Sequence, residues 1–136
     1  MESTLFYYTR LLVLLAVLIG VVGFNVAAWG LHRVPLDPIW YVPGASAARG
    51  RVLLHEHGCG ACHTVPGVRG AVGKVGPPLD RLKEQVYIAG VLANTPPNLT
   101  FWIQNPQEAD PRTAMPDLNV SEQDARDIAA YLYALP

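Results

Sequence analysis

Cys59-Gly60-Ala61-Cys62-His63 reads C-x-x-C-H, and it holds both cysteines of the 136-residue chain. Three chemistries compete for such a pair. A thioredoxin-type redox motif wants its C-x-x-C in a βαβ setting, and no run here alternates with period 2 convincingly. A zinc site from Cys59, Cys62, His63 and either His55 or His57 is conceivable. Zinc ligands normally arrive as two separated pairs, however, and there is no second pair. His55 and His57 serve equally well as the polar face of a helix. The third chemistry is covalent attachment of a c-type haem. Two thiols three positions apart at a helix end can each bond one vinyl group on the same edge of a porphyrin. The next residue, His63, then falls under the iron and offers an imidazole nitrogen.

A haem iron that carries electrons wants a sixth ligand. The chain has two methionines, and one is Met1. Met115 is the sole internal thioether. It lies 52 residues after His63 in Arg112-Thr113-Ala114-Met115-Pro116, flanked by polar residues and proline and outside any helical stripe. Buried methionine is ordinarily core filler, but this setting favours an axial ligand. A Met/His pair raises the potential in cytochromes c. It also leaves the iron no open position, which argues against a small-molecule substrate at this site.

Around that motif the sequence is short of ways to hold itself together. Two cysteines cannot make a disulfide framework. A formal charge of −1 gives no basic stripe for nucleic acid. The pattern favours a helix from about Ser46 to His57, stopped by Gly58, and a second helical window over Leu79–Ala89, closed by Gly90. Thr95-Pro96 opens a third, with proline at its first position, running through Leu99, Trp102 and Ile103 to Pro106. Ser121 caps the last, where Asp124 completes an approximate capping box and Val120 and Ala125 sit at staple positions. Its apolar stripe is Ala125, Ile128, Ala129, Leu132 and Leu135. Long Gly/Pro loops, Pro66–Pro78 and Asn105–Asn119, lie between, and no sheet is expected. Four short helices bury too little to hold such loops unaided. A large flat covalent group would fill the middle.

Residues 1–33 belong to another solvent. They contain only Glu2, Arg10 and Arg33 as acids or bases and no proline, whereas all 12 prolines follow. Leu11–Leu31 is a run of 21 residues with no charge and a single amide, Asn25. At about 1.5 Å per residue it spans roughly the 30 Å hydrocarbon core. Phe6, Tyr7 and Tyr8 before it, and Trp29, Trp40 and Tyr41 after it, suit the two interfaces. A cleaved signal peptide is the rival, with Val26-Ala27-Ala28 as its cleavage site, but the apolar run exceeds the usual h-region. The expected organisation is a transmembrane anchor over 1–33, a Pro-rich tether over 34–45, and a helical domain over 46–136.

The domain over about 46–136 resembles a class I cytochrome c, on Cys59-Gly60-Ala61-Cys62-His63 together with Ala114-Met115-Pro116. The expected fold is all-α, about four short helices around one covalent haem, preceded by the single N-terminal transmembrane helix. Further positions match in order. Gly50 and Leu54 resemble first-helix positions that cross the last helix, with Tyr131 as aromatic partner. Gly76-Pro77-Pro78-Leu79 resembles the loop whose proline carbonyl accepts from the ligating histidine, which implies that role for Pro77 and haem packing for Leu79. Leu99–Pro106 resembles the pocket-wall helix, with Trp102 at an aromatic position. Tyr87-Ile88-Ala89-Gly90, with Asn94–Leu99, is most similar to the cytochrome c domain fused to subunit II of some haem-copper oxidases. The resemblance thus implies cofactor-binding Cys59, Cys62, His63, Met115, Pro77, Leu79, Tyr87 and Trp102, with iron held by His63 and Met115.

The implied function is electron transport without catalysis. A monohaem carrier takes single electrons from a quinol-oxidising complex or dehydrogenase and passes them to a terminal oxidase. The alternative is an integral cytochrome c subunit of a respiratory complex, of oxidase or nitric oxide reductase type. Haem attachment of this kind resembles a reaction completed outside the bacterial cytoplasm, so the domain is expected on the periplasmic or outer side of the cell membrane. The family's docking lysines are sparse here, with only Lys74 and Lys83. Steering by a basic face is therefore doubtful, and a membrane tether compensates by raising effective concentration.

Overall fold

The computed structural model describes the backbone of residues 2–31 and 39–136 and the side chains of 8–25 and 39–136. Residues 34–38 of the expected tether, and the side chains of Phe6, Tyr7 and Trp29, lie outside the described residues. The chain divides into two compact units, Met1–Leu36 and Asp37–Pro136.

The first unit is built on one helix, α1 (Glu2–Leu31). Its 30 residues at about 1.5 Å each make it about 45 Å long. It is long and apolar enough to cross a membrane, and the side chains from Tyr8 to Asn25 are all exposed rather than packed into a core. Asn25 satisfies its own amide within this apolar helix by donating to Val21 O, one turn back, at 2.7 Å.

The second unit carries α2 (Ala47–Glu56), α3 (Pro96–Gln104), α4 (Pro106–Ala109) and α5 (Glu122–Ala134). Local chemistry explains the starts of α2, α3 and α5. Ser46 Oγ accepts from Arg49 N at 3.3 Å, Thr95 Oγ1 from Asn98 N at 3.4 Å, and Ser121 Oγ from Asp124 N at 3.2 Å. These caps satisfy amides that a helix start leaves orphaned. The α5 stripe is buried throughout, as are Leu53 and Leu54 of α2 and Leu99, Trp102 and Ile103 of α3.

The main packing is α2 across α5. At Gly50 the helices approach so closely that a Cβ would stand 1.9 Å from Asp127 O. Asp127, 1% exposed, fastens the crossing. Its carboxylate accepts from Ser46 N at 2.7 Å, Arg49 Nη1 at 2.9 Å and Gln123 Nε2 at 3.1 Å. Arg49 also pairs with Asp124. Tyr131 does not meet Gly50's crossing through its hydroxyl, which instead donates to Pro66 O at 2.7 Å and pins the start of the Pro66–Pro78 loop.

Two expectations fail here. Leu79–Ala89 is not helical: it holds a 3-10 turn at Leu82–Glu84 and then strand β1 (Tyr87–Ile88). β1 pairs antiparallel with β2 (Leu92–Ala93), in the register Tyr87↔Ala93 and Ile88↔Leu92, so the unit does carry a small sheet. The turn between them has positive φ at Ala89 (49°) and Gly90 (75°), the sign both central residues of a type I′ turn need. The carbonyls a continuing helix would spend on its own amides are taken by Asn94, whose side chain donates to Leu82 O and Gln85 O.

Trp40 differs as well. It stacks on Tyr133, with ring centroids 5.0 Å apart and 25° between planes, and is half-buried against the core rather than offered to lipid headgroups. Val42 beside it is 6% exposed. Arg126 donates to Pro43 O, and Gln123 Nε2 to Gly44 O at 3.2 Å. Residues 40–44 therefore form a strap on α5.

Candidate functional site

α2 ends at Glu56, and Gly58, at φ +69°, turns the chain out of it. A 3-10 turn, Cys59–Ala61, follows at once. Both cysteines are half-buried and unpaired. Burial pushes the Cys59 thiol up from its ordinary pKa. Cys59 also packs on the core.

The loop that follows is long but zipped to this turn. Gly73 N donates to Gly60 O at 3.1 Å, Gly76 N to Cys62 O at 2.9 Å and Leu79 N to Thr64 O at 3.0 Å. Thr64 Oγ1 adds a bond to Gly73 O at 2.9 Å. The approach is close enough to need glycine: a Cβ on Gly73 would stand 2.4 Å from Ala61 O.

That zipper places His63. Its Nδ1 lies 2.7 Å from Pro77 O. A carbonyl only accepts, so Nδ1 carries a proton, and in the neutral ring the lone pair lies on Nε2. Gly76 closes one side of the ring, since a Cβ there would be 2.3 Å from His63 Cε1. The sequence thus presents an imidazole of fixed tautomer beside two free thiols. Leu79 packs partly buried on the core.

Met115 sits on the Asp110–Asn119 loop, half-buried against the same core. Its backbone is held at both ends: Met115 N donates to Thr113 Oγ1 at 3.2 Å, and Gln107 Nε2 donates to Met115 O at 2.8 Å. Of the remaining expected pocket residues, Trp102 is buried in α3, at 8% exposed, and Tyr87 is 58% exposed on β1. Among the described residues no three His, Cys, Asp or Glu side chains converge to hold a metal ion.

These features fit a haem: two thiols on one turn, an imidazole with a free Nε2, a cradle that only glycine leaves open at residue 76, and a thioether in a braced loop. The cytochrome c family pattern matches residues 47–136. The chain belongs to the cytochrome c family. The cytochrome is accordingly an electron carrier that binds haem iron. Over 90 residues it is 37% identical to a protein named cytochrome c oxidase subunit 2 from Alkalihalophilus pseudofirmus, an alignment covering 65% of this chain and 25% of that protein. The cytochrome so spans about a quarter of that relative's length, and no solved structure matches it.

Sequence reasoning passed over Gln107, Thr113 and Asn94 as functional residues. Thr113 carried a local signal, a hydroxyl two residues before Met115 in an ST-turn position. Gln107 and Asn94 carried none that a short window can read, because their partners are eight or more residues away.

Proposed function

We propose that the chain is a membrane-anchored monohaem cytochrome c carrying single electrons from a quinol-oxidising complex or dehydrogenase to a terminal oxidase. The observation that carries this reading is the 2.7 Å bond from His63 Nδ1 to Pro77 O, which leaves the other ring nitrogen available as a ligand on the residue that follows Cys62. When bound, the haem supplies a one-electron couple. Cys59 and Cys62 would hold it covalently, and His63 and Met115 would ligate its iron.

The chain's own contribution is to stay still. Pro77 fixes the imidazole's tautomer and orientation and raises its basicity. Thr113 and Gln107 hold the Met115 backbone from both sides. The zipper from Gly60 to Leu79 keeps the histidine side from rearranging as charge arrives and leaves. Leu79 and Trp102 would supply apolar walls, and Tyr87 would stand at the rim.

The apolar helix α1 supports an anchor, and the chemistry of thioether attachment supports an outer-side location with Met1 in the cytoplasm. The second reading, a stoichiometric subunit of a respiratory complex, is favoured by the relative that bears an oxidase subunit's name. Purification in mild detergent separates the two. A lone cytochrome with a narrow reduced α-band supports the carrier. Fixed partner stoichiometry supports the subunit. A reduced spectrum without that band refutes both.

A further inference from the structure

Tyr133 stands outside the apolar stripe of α5, yet it is buried, and it has partners on both sides. Trp40 stacks on its ring. Its hydroxyl donates to Asn94 Oδ1 at 2.7 Å. Burial drives the tyrosine pKa far above the ordinary phenol value, so the hydroxyl keeps its proton.

Asn94 is buried too, at 7% exposed. Its amide nitrogen donates to Leu82 O at 2.6 Å and Gln85 O at 2.8 Å. Both acceptors are carbonyls, which settles the amide's orientation: nitrogen toward 82 and 85, oxygen toward Tyr133. The Asn94 backbone N–H donates to Val86 O at 3.0 Å. With the β1–β2 pairing, residues 82–93 form a lobe whose Ile88 is buried in the core and whose Ala93 O accepts from Asn98 Nδ2 of α3 at 2.9 Å, and its side-chain hydrogen-bond link to α5 runs through one amide and one phenol.

We propose that Tyr133 and Asn94 are positioning residues for the haem pocket, holding the 82–93 lobe and its Tyr87 in place, with Trp40 locking the Tyr133 ring. The proposal deepens the haem reading and rests on it for the pocket. The fastening itself stands on the hydrogen bonds alone. Burial and dielectric around a haem are among a protein's levers on its potential. Freeing the lobe admits water, which favours the more highly charged ferric form and lowers the potential.

The test uses the full-length haem-loaded protein with two single variants and their combination. Tyr133→Phe keeps the ring and its stack and removes only the hydroxyl. Asn94→Ala removes the hub. Each single variant is expected to favour the oxidised form about threefold at fixed ambient potential, a fall of about 28 mV at 59 mV per tenfold for one electron. The double variant is expected to fall no further than Asn94→Ala, because both act through one link. Hydrogen exchange at amides 86–94 is expected to speed up about tenfold in both single variants, with α2 unchanged. An unchanged potential in Tyr133→Phe, with the wild type showing a low-spin haem, overturns the proposal while the haem reading stands. If the wild type carries no haem, the haem reading fails, and exchange alone decides the fastening: unchanged protection at 86–94 overturns it. Should Asn94→Ala not fold, the Tyr133→Phe results decide alone.

Discussion

Replacing Gly76 by alanine would drive a methyl group into the His63 ring. The Cβ would lie 2.3 Å from Cε1, 2.6 Å from Nδ1 and 2.8 Å from Nε2, where ordinary contact begins at about 3.4 Å. Ring or loop must give by about 1 Å. The Nδ1–Pro77 O distance is 2.7 Å now, and a contact stretched to about 3.6 Å is no longer a hydrogen bond, so a displacement of that size breaks it. Losing the partner that orients a metal-bound histidine typically weakens ligation about 10–100-fold, or about 1.4–2.7 kcal/mol. Backbone strain is not involved, because Gly76 is not among the glycines with positive φ. Gly70→Ala is the matched control: its φ is +76°, but no atom stands within 4 Å of the added Cβ. The assay follows the low-spin haem spectrum through a guanidinium titration and reads the free energy of losing His63 from the iron. Gly76→Ala should lose about 1.4–2.7 kcal/mol on that scale, and Gly70→Ala should leave the histidine in place until the fold itself melts. A Gly76→Ala protein as resistant as wild type, or no weaker than Gly70→Ala, would refute the cradle.

Three further outcomes follow from the packing. Alanine normally improves a helix over glycine by about 1 kcal/mol, but Gly50→Ala should destabilise the domain by about 3 kcal/mol in chemical denaturation, because its Cβ would sit 1.9 Å from the α5 backbone. Asp127→Ala should cost about 3 kcal/mol in the same measurement, since it strands Ser46 N, Arg49 and Gln123 at the α2–α5 crossing. Met115→Ala should leave haem attachment intact, lower the reduction potential, and open the reduced iron to carbon monoxide, which the wild type should not bind.

The two ends of the domain were readable because their signals are local. Ser121 with the stripe from Ala125 to Leu135 gives α5, and Thr95-Pro96 gives the start of α3. The C-x-x-C-H motif and the lone Met115 are likewise legible within a few residues of chain. The middle was not. Leu79–Ala89 has helical spacing, but Asn94 takes the carbonyls of Leu82 and Gln85 from 9 to 12 residues away, and a local window cannot see that competitor. Asp127 looks like a solvated position on α5 until Ser46 and Arg49 arrive from α2. Tyr133 looks equally marginal until the 40–44 strap covers it. Trp40 misled for the same reason: an indole beside an apolar helix suits an interface, and only the fold supplies the ring it stacks on. Wherever one side chain answers a distant backbone group, sequence periodicity was silent.

Intact mass and peptide mapping of the purified full-length protein bear most directly on the whole account. One haem should be found, bound by thioether links to Cys59 and Cys62 in a single peptide that also contains His63. Two unmodified thiols and no added prosthetic group would contradict it.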